Sequence, residues 1–287
     1  MPRGLDHIVH AVRDLDAAAA LYRGLGFTVG ARNRHPWGTH NYLIQFPGFF
    51  IELLTLVQPD KLGDDGFSQL FGAYTGDFLT RQEGLALLIL ESRDAAADEA
   101  QFRAAGIAAS ETMRFEREGR RPDGTPVKVG FSLAFAEDKG APDIHFAVCQ
   151  QHYPENFWNP AFQQHANGAA GVAGVVLVAD APERHRGFLE NFAGAAARQT
   201  EDGFGIATPR GTIDMTTPPG FVARFGVTAP DMARGPRLAA VRFTVADASL
   251  LQDLPELAGI AGLYQGNAAV IGAEDAFGAV MVFEPNR

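Results

Sequence analysis

The chain has 287 residues, 46% hydrophobic and 20% charged, an ordinary balance for a folded protein with room for about two domains. Its 34 Asp and Glu against 24 Lys and Arg give a net charge of −10, which argues against a nucleic-acid partner. The single cysteine, Cys149, excludes an intrachain disulfide and a four-cysteine zinc site and suits a reducing compartment.

The N-terminal Met-Pro-Arg-Gly-Leu-Asp carries no apolar signal core. The most apolar run, 169–179, is interrupted by Gly171 and Gly174 and falls short of the ~20 residues a spanning helix needs. A cytoplasmic protein with no membrane partner is therefore expected.

Leu5, Ile8, Val9, Ala11 and Val12 are β-prone and bounded by Gly4 and Asp14, which predicts a first strand. Asp14 is a good N-cap for a helix from Leu15 to Leu25, whose apolar residues recur at spacings of three and four. Gly24 and Gly26 end it, and Phe27–Val29 reads as a second strand. Asn41–Phe46 and Phe49–Leu54 flank Pro47-Gly48, the signal of a hairpin. The order is β-α-β-β-β.

This unit repeats. Displaced by 80 residues, Gly4, Leu5, Arg13 and Asp14 fall on Gly84, Leu85, Arg93 and Asp94. The later strands of this second unit are expected near Val127–Phe135 and Ile144–Cys149, with a charged loop from Arg114 to Thr125 between. Displaced by 162 residues, the hairpin falls on Ile206–Met215, with Asp214 in the place of Glu52. Val172–Asp180 and a helix around Phe188–Phe192 complete the third unit. Ala239–Asp247, a helix near Leu250 and strands near Ala268–Ile271 and Ala279–Phe283 make a fourth. The Pro- and Asn-Gly-containing stretch before Val172 reads as a linker.

On His-Ile-Val, Asp-Leu-Asp, Leu-Gly-Phe and Phe-Ile-Glu-Leu, set in this fourfold repeat, the chain resembles the vicinal oxygen chelate superfamily and its glyoxalase-like domain proteins. The resemblance implies an α+β fold in which four βαβββ modules form two glyoxalase-like half-barrel domains. The first domain would span residues 1–152 with modules 1 and 2 and the site. A linker would span 153–170, and a degenerate domain 171–287 with modules 3 and 4. Modules would pair within one chain or between two copies in a homodimer.

Strand side chains alternate faces. A hairpin centred on Pro47-Gly48 sets Glu52 opposite Leu43 and puts Asn41, Gln45 and Phe50 on its face. A carboxylate in so apolar a strand must be paired, metal-bound or able to reach water. His7 stands where the superfamily has a metal-binding histidine, and His10 has the opposite parity. Leu87, in the matching place of module 2, cannot ligate. Cys149 aligns with Glu52, and His145, Cys149 and Gln151 share one face, so His7, Glu52 and Cys149 form the candidate metal set, with His145 as the alternative third ligand. The ion would be divalent: Zn, Fe, Mn, Ni or Mg. His40, Asn41, Gln151 and His152 are candidate contacts for a small-molecule substrate, and Trp37 a candidate at the cavity mouth. Positions matching His7 in the second half are Ala173 or Gly174 and Ala240, and Val282 stands where a closing carboxylate would be, so no metal is expected there.

Two functions follow. One is a divalent-metal-dependent lyase, isomerase or dioxygenase acting on a molecule with adjacent oxygens, with Glu52 as catalytic group. The other is metal-free binding of a small molecule by the same fold. No dinucleotide or phosphate loop, Gly-x-Ser-x-Gly elbow or His-Glu-x-x-His motif is present.

Overall fold

The computed structural model describes residues 1–120, 124–245, 247, 250 and 263–285. The helix expected near Leu250 falls mostly outside the described residues. Module 1 comprises β1 (Leu5–Ala11), α1 (Leu15–Gly24), β2 (Asn33–Arg34), β3 (Thr39–Phe46) and β4 (Phe49–Leu56). After a π-helical segment (Ser68–Ala73) and α2 (Tyr74–Arg81), module 2 has β5 (Gly84–Glu91), α3 (Ala95–Ala104), β6 (Met113–Arg120), β7 (Pro126–Ala136) and β8 (His145–Gln151). A connecting segment holds α4 (Pro154–Phe157) and a 3₁₀ turn (Pro160–Gln163). Module 3 has β9 (Ala169–Val178), α5 (Glu183–Ala193), β10 (Arg198–Thr200), β11 (Gly203–Ala207) and β12 (Thr212–Thr216), followed by α6 (Pro218–Phe225). Module 4 shows β13 (Arg237–Val245), β14 (Leu263–Gln265), β15 (Ala268–Ile271) and β16 (Val280–Pro285).

The helices start where the sequence offers caps. Asp14 accepts from the backbone N–H of Asp16 and Ala17, and Asp94 from that of Ala97, satisfying donors that a first helical turn leaves free. Within each module the first strand pairs in parallel with the last, and modules join through their first strands: β1 with β5, and β9 with β13, both antiparallel. Both joints lie within one chain. A single residue pair, Leu238 with Leu85, links β13 to β5 and makes the two half-open sheets continuous.

Alternation sorts the side chains. One face of both sheets shares an apolar core with the helices α1, α3 and α5, in which Ile8, Tyr22, Phe102, Phe192 and Val241 are buried. The other face of the first sheet, with Val9, Leu87, Ile89 and Cys149, is closed at one end by Phe71 and Phe78 from the segment between β4 and β5. In the second half Val176, Ala240 and Val282 are closed by Phe221 and Phe225 of α6. Fully burying each such side chain stabilises the fold by roughly 1.5–3 kcal/mol. No helix among the described residues is long and apolar enough to cross a membrane.

Two expectations are corrected. The second strand is Asn33–Arg34, not Phe27–Val29. Phe27 instead plugs the junction of the halves, its ring 5.2 Å from that of Phe243 and 5.7 Å from that of Phe283. The charged stretch expected as a loop from Arg114 to Thr125 is largely strand β6, paired in register with β7 from Met113↔Leu133 to Arg120↔Pro126. Its charges alternate with Phe115 and Gly119, which is the period of a half-exposed strand. The segment read as a linker packs against β3: Gln45 Nε2 donates to Phe157 O, and its Oε1 accepts from the Asn159 N–H.

Candidate functional site

The two-residue turn at Pro47-Gly48 sets the β3·β4 register: Asn41↔Leu54, Leu43↔Glu52 and Gln45↔Phe50. The parallel β1·β4 register places His7 beside Phe50 and Val9 beside Glu52. His7 and Glu52 are thus diagonal neighbours on one face. Both are buried, 4% and 6% exposed, and both line one cavity.

That cavity also takes in Asn33, His35, Trp37, Asn41 and Leu43 from module 1. Phe67 and Phe71 come from the segment after β4, Phe115 and Arg117 from β6, and Val129, Phe131 and Leu133 from β7. Cys149 and Phe157 complete the wall. It adjoins an outer groove walled by Gln45 and Phe157–Pro160, with Asn33, Leu43, Arg117, Val129 and Phe157 common to both.

The polar groups are held in place. Asn41 Nδ2 donates to Glu52 Oε1 at 2.5 Å, and Asn33 Nδ2 donates to Asn41 Oδ1 at 2.9 Å. These bonds compensate a carboxylate sited among Phe50, Ile51, Leu53 and Leu54. His7 Nδ1 donates to Asp6 Oδ1 at 2.5 Å, while its ring stacks on Phe50 at 4.2 Å. With Nδ1 engaged, Nε2 is the ring nitrogen left for a ligand. Asp6 Oδ2 accepts from Gln151 Nε2 at 3.1 Å. His35 ends a stack in which Trp37 is sandwiched, 4.7 Å from His35 and 5.1 Å from Phe67. Burial pushes the His35 pKa down, with Glu52 opposing and Arg117 and His40 assisting, so the ring stays neutral at pH 7. Trp37 Nε1 is buried without an acceptor.

The structure brings together His7, Asn41, Glu52 and Cys149. It does not bring the other candidates to the cavity. His40 sits on the opposite face of β3 from Asn41 and accepts from Arg32 Nε at 3.2 Å. His152 faces Ser132 Oγ at 2.8 Å. Gln151 reaches the site only through Asp6. His145, the alternative third ligand, stacks on Tyr74 at 3.4 Å, and its Nδ1 donates to Leu70 O. Asp6, Asn33 and Arg117 escaped the sequence reading. Asp6 has the wrong parity for a regular strand, and Arg117 lies in the stretch read as loop. Phe67, Phe71, Tyr74 and Phe78, at spacings of four, three and four, were a helical stripe that could have been found.

The donors do not fit the metal centre that the resemblance implies. Among the described residues no three His, Cys, Asp or Glu side chains gather closely enough to hold an ion. His7 and Glu52 lack a third protein ligand, and Cys149 does not supply it. Burial, then the Asp6 and Glu52 carboxylates, push the Cys149 thiol well up.

In the second half the corresponding face is filled by a cation of the chain itself. Arg242 on β13, 7% exposed, donates through Nη1 to Asp214 Oδ2 at 2.6 Å and through Nη2 to Glu284 Oε1 at 2.6 Å. Asp214 is the residue that the repeat aligns with Glu52. The carboxylate absent at Val282 stands two residues on, at Glu284, on the same face.

A family model described as "Glyoxalase-like domain" matches residues 5–193. A hypothetical protein from Staphylococcus aureus is similar in structure, with a TM-score of 0.68 at 13% identity over 99% of this chain and 100% of that one. So is a mutant of 4-hydroxymandelate synthase from Streptomyces coelicolor, with a TM-score of 0.63 at 12% identity over 99% and 92%. At such identities the likeness is one of fold alone. No curated protein matches the chain. The repeated βαβββ modules, the joints between their first strands and the family match lead to one conclusion: the chain belongs to the glyoxalase-like domain family of the vicinal oxygen chelate superfamily.

Proposed function

We propose that the chain is a metal-independent enzyme that moves a proton on a small, mainly apolar molecule bearing a carbonyl group. The observation that carries this reading is the Asp6–His7 hydrogen bond of 2.5 Å beside a cavity that Glu52 shares. A carboxylate on Nδ1 fixes the tautomer, leaves Nε2 with its lone pair, and stabilises the imidazolium formed when Nε2 takes a proton. His7 would remove a proton from carbon next to the carbonyl. The C–H electron pair would move into the new C=C bond and the carbonyl pair onto oxygen, giving an enolate. Return of a proton from His7, or from Glu52 after exchange with solvent, would complete an isomerisation. The phenylalanine wall would desolvate the reacting groups.

A metal-dependent lyase, isomerase or dioxygenase would call for a third His, Cys, Asp or Glu gathered with His7 and Glu52, and none gathers there among the described residues. The aromatic lining favours a second reading, sequestration of a small aromatic molecule without reaction. Incubation with small 2-oxo acids and aryl ketones in D₂O separates the two. Incorporation of deuterium next to the carbonyl, seen by proton NMR above the uncatalysed rate and lost in His7→Gln, supports the enzyme. Binding without His7-dependent exchange of any of them overturns it in favour of sequestration.

A further inference from the structure

We infer that Arg117 and Trp37 form a subsite for a single carboxylate, so that the ligand is a small aromatic or branched carboxylic acid. This rests on the cavity being the ligand site.

The β6·β7 hairpin sorts its charges by face. On the outer face Glu116 accepts from Arg114 Nη2 at 3.1 Å, from Lys128 Nζ at 3.0 Å and from the Tyr153 hydroxyl at 3.2 Å. The Glu116 charge on that side is thus neutralised by its neighbours. Arg117 projects from the other face, with Phe115 and Val129, into the wall shared by the cavity and the outer groove. It has no hydrogen bond or ion pair among the described residues. Arg117 is itself exposed to solvent, and the apolar wall beside it pulls its pKa down by partial desolvation. Glu52 is not its counter-ion, since its bond goes to Asn41. A guanidinium left unpaired at the rim of a cavity can pair with an anion arriving with the ligand.

Trp37 adds an independent sign. Its side chain is more than nine-tenths buried, and its Nε1–H has no acceptor. It packs edge-on against Phe115, 5.2 Å between centroids, two residues from Arg117 on the same face. Orphaned buried donors are rare and costly, and an oxygen supplied by a ligand relieves them. A carboxylate suits this pair better than a phosphate. One cation and one N–H match a single charge, and the Glu52 carboxylate lining the same cavity disfavours a double one. The surrounding Phe side chains select an apolar body.

Calorimetry with phenylacetate, phenylacetamide and phenyl phosphate tests this at constant shape. Wild type is expected to bind phenylacetate about tenfold or more tighter than the amide, the scale of one charged hydrogen bond. Arg117→Gln is expected to abolish that preference while leaving amide affinity unchanged, and Arg117→Lys to restore part of it. Trp37→Phe is expected to weaken carboxylate binding several-fold. A preference that survives Arg117→Gln, equal binding of acid and amide, or tighter binding of the phosphate overturns the inference, as does binding of none of the three. His7-dependent exchange on neutral ketones without any acid preference would sink this inference alone. Acid preference without exchange would sink only the proposed reaction.

Discussion

His7 Nδ1 lies 2.5 Å from Oδ1 of Asp6, its neighbour along β1. Adjacent residues of a regular strand point to opposite faces. The pairing of β1 with β5 shifts register between Leu5 and His7, and this irregularity turns Asp6 toward the imidazole. Removing the carboxylate in Asp6→Ala leaves a buried N–H without an acceptor. A loss of about 1–3 kcal/mol in urea denaturation is expected. Deuterium exchange should fall about 100-fold or more, because the tautomer is no longer fixed. Exchange at the wild-type rate would show that Asp6 is structural only.

How much of this was legible depends on regularity. The two-residue turn at Pro47-Gly48 fixes which residue faces which, so the shared face of Asn41 and Glu52 could be read from sequence. Parity also separated His7 from His10, whose ring lies between the Tyr22 hydroxyl and Phe277 O. Parity failed where the strand is irregular, at Asp6. It is masked where acidic and basic residues mimic a loop, at Arg114–Arg120. Arg242 was invisible for another reason: its role depends on Asp214 and Glu284 meeting it across three strands from distant parts of the chain.

Metal content tests the donor argument directly. Protein purified without chelator is expected to carry well under one equivalent of Zn, Fe, Mn, Ni or Mg by elemental analysis. EDTA should leave the melting temperature unchanged, because no ion is tied to folding. Glu52→Gln should alter neither, since Asn41 Nδ2 keeps an oxygen acceptor. A stoichiometric ion lost in Glu52→Ala would restore the metal-dependent reading.

Acid should weaken the fold before it protonates most carboxylates. Burial lowers the pKa of His10 to about 4, outweighing the opposing bond to Phe277 O, and burial likewise takes His145 to about 4. In the unfolded chain both titrate near 6.5. Between these values the unfolded state binds more protons, so stability is full above about pH 6.5 and falls as pH drops toward 4. The His10 contribution is up to about 3 kcal/mol. Denaturation midpoints from pH 7.5 to 4 should show this, and His10→Gln should reduce the slope by one proton. An unchanged slope in that variant would mean that His10 titrates normally.

In the second half Arg242 occupies the position a metal would have to take, between two carboxylates whose side chains are 18% and 21% exposed. Deleting it in Arg242→Ala leaves Asp214 and Glu284 facing each other with less counter-charge, although Arg224 still donates to Asp214 at 2.9 Å. The bonds from Arg242 are short and Nε also donates to Glu284, so little of the desolvation cost is left uncompensated in the native state. Breaking such a pair is expected to cost about 3 kcal/mol at neutral pH. Arg242→Met with Asp214→Asn and Glu284→Gln removes the charges together and should recover most of the loss, because an uncharged cluster of similar volume avoids the desolvation penalty. Chemical denaturation of the single and triple variants at pH 7 measures both effects. Equal stability of wild type and Arg242→Ala would show that the arginine carries no share in closing this sheet.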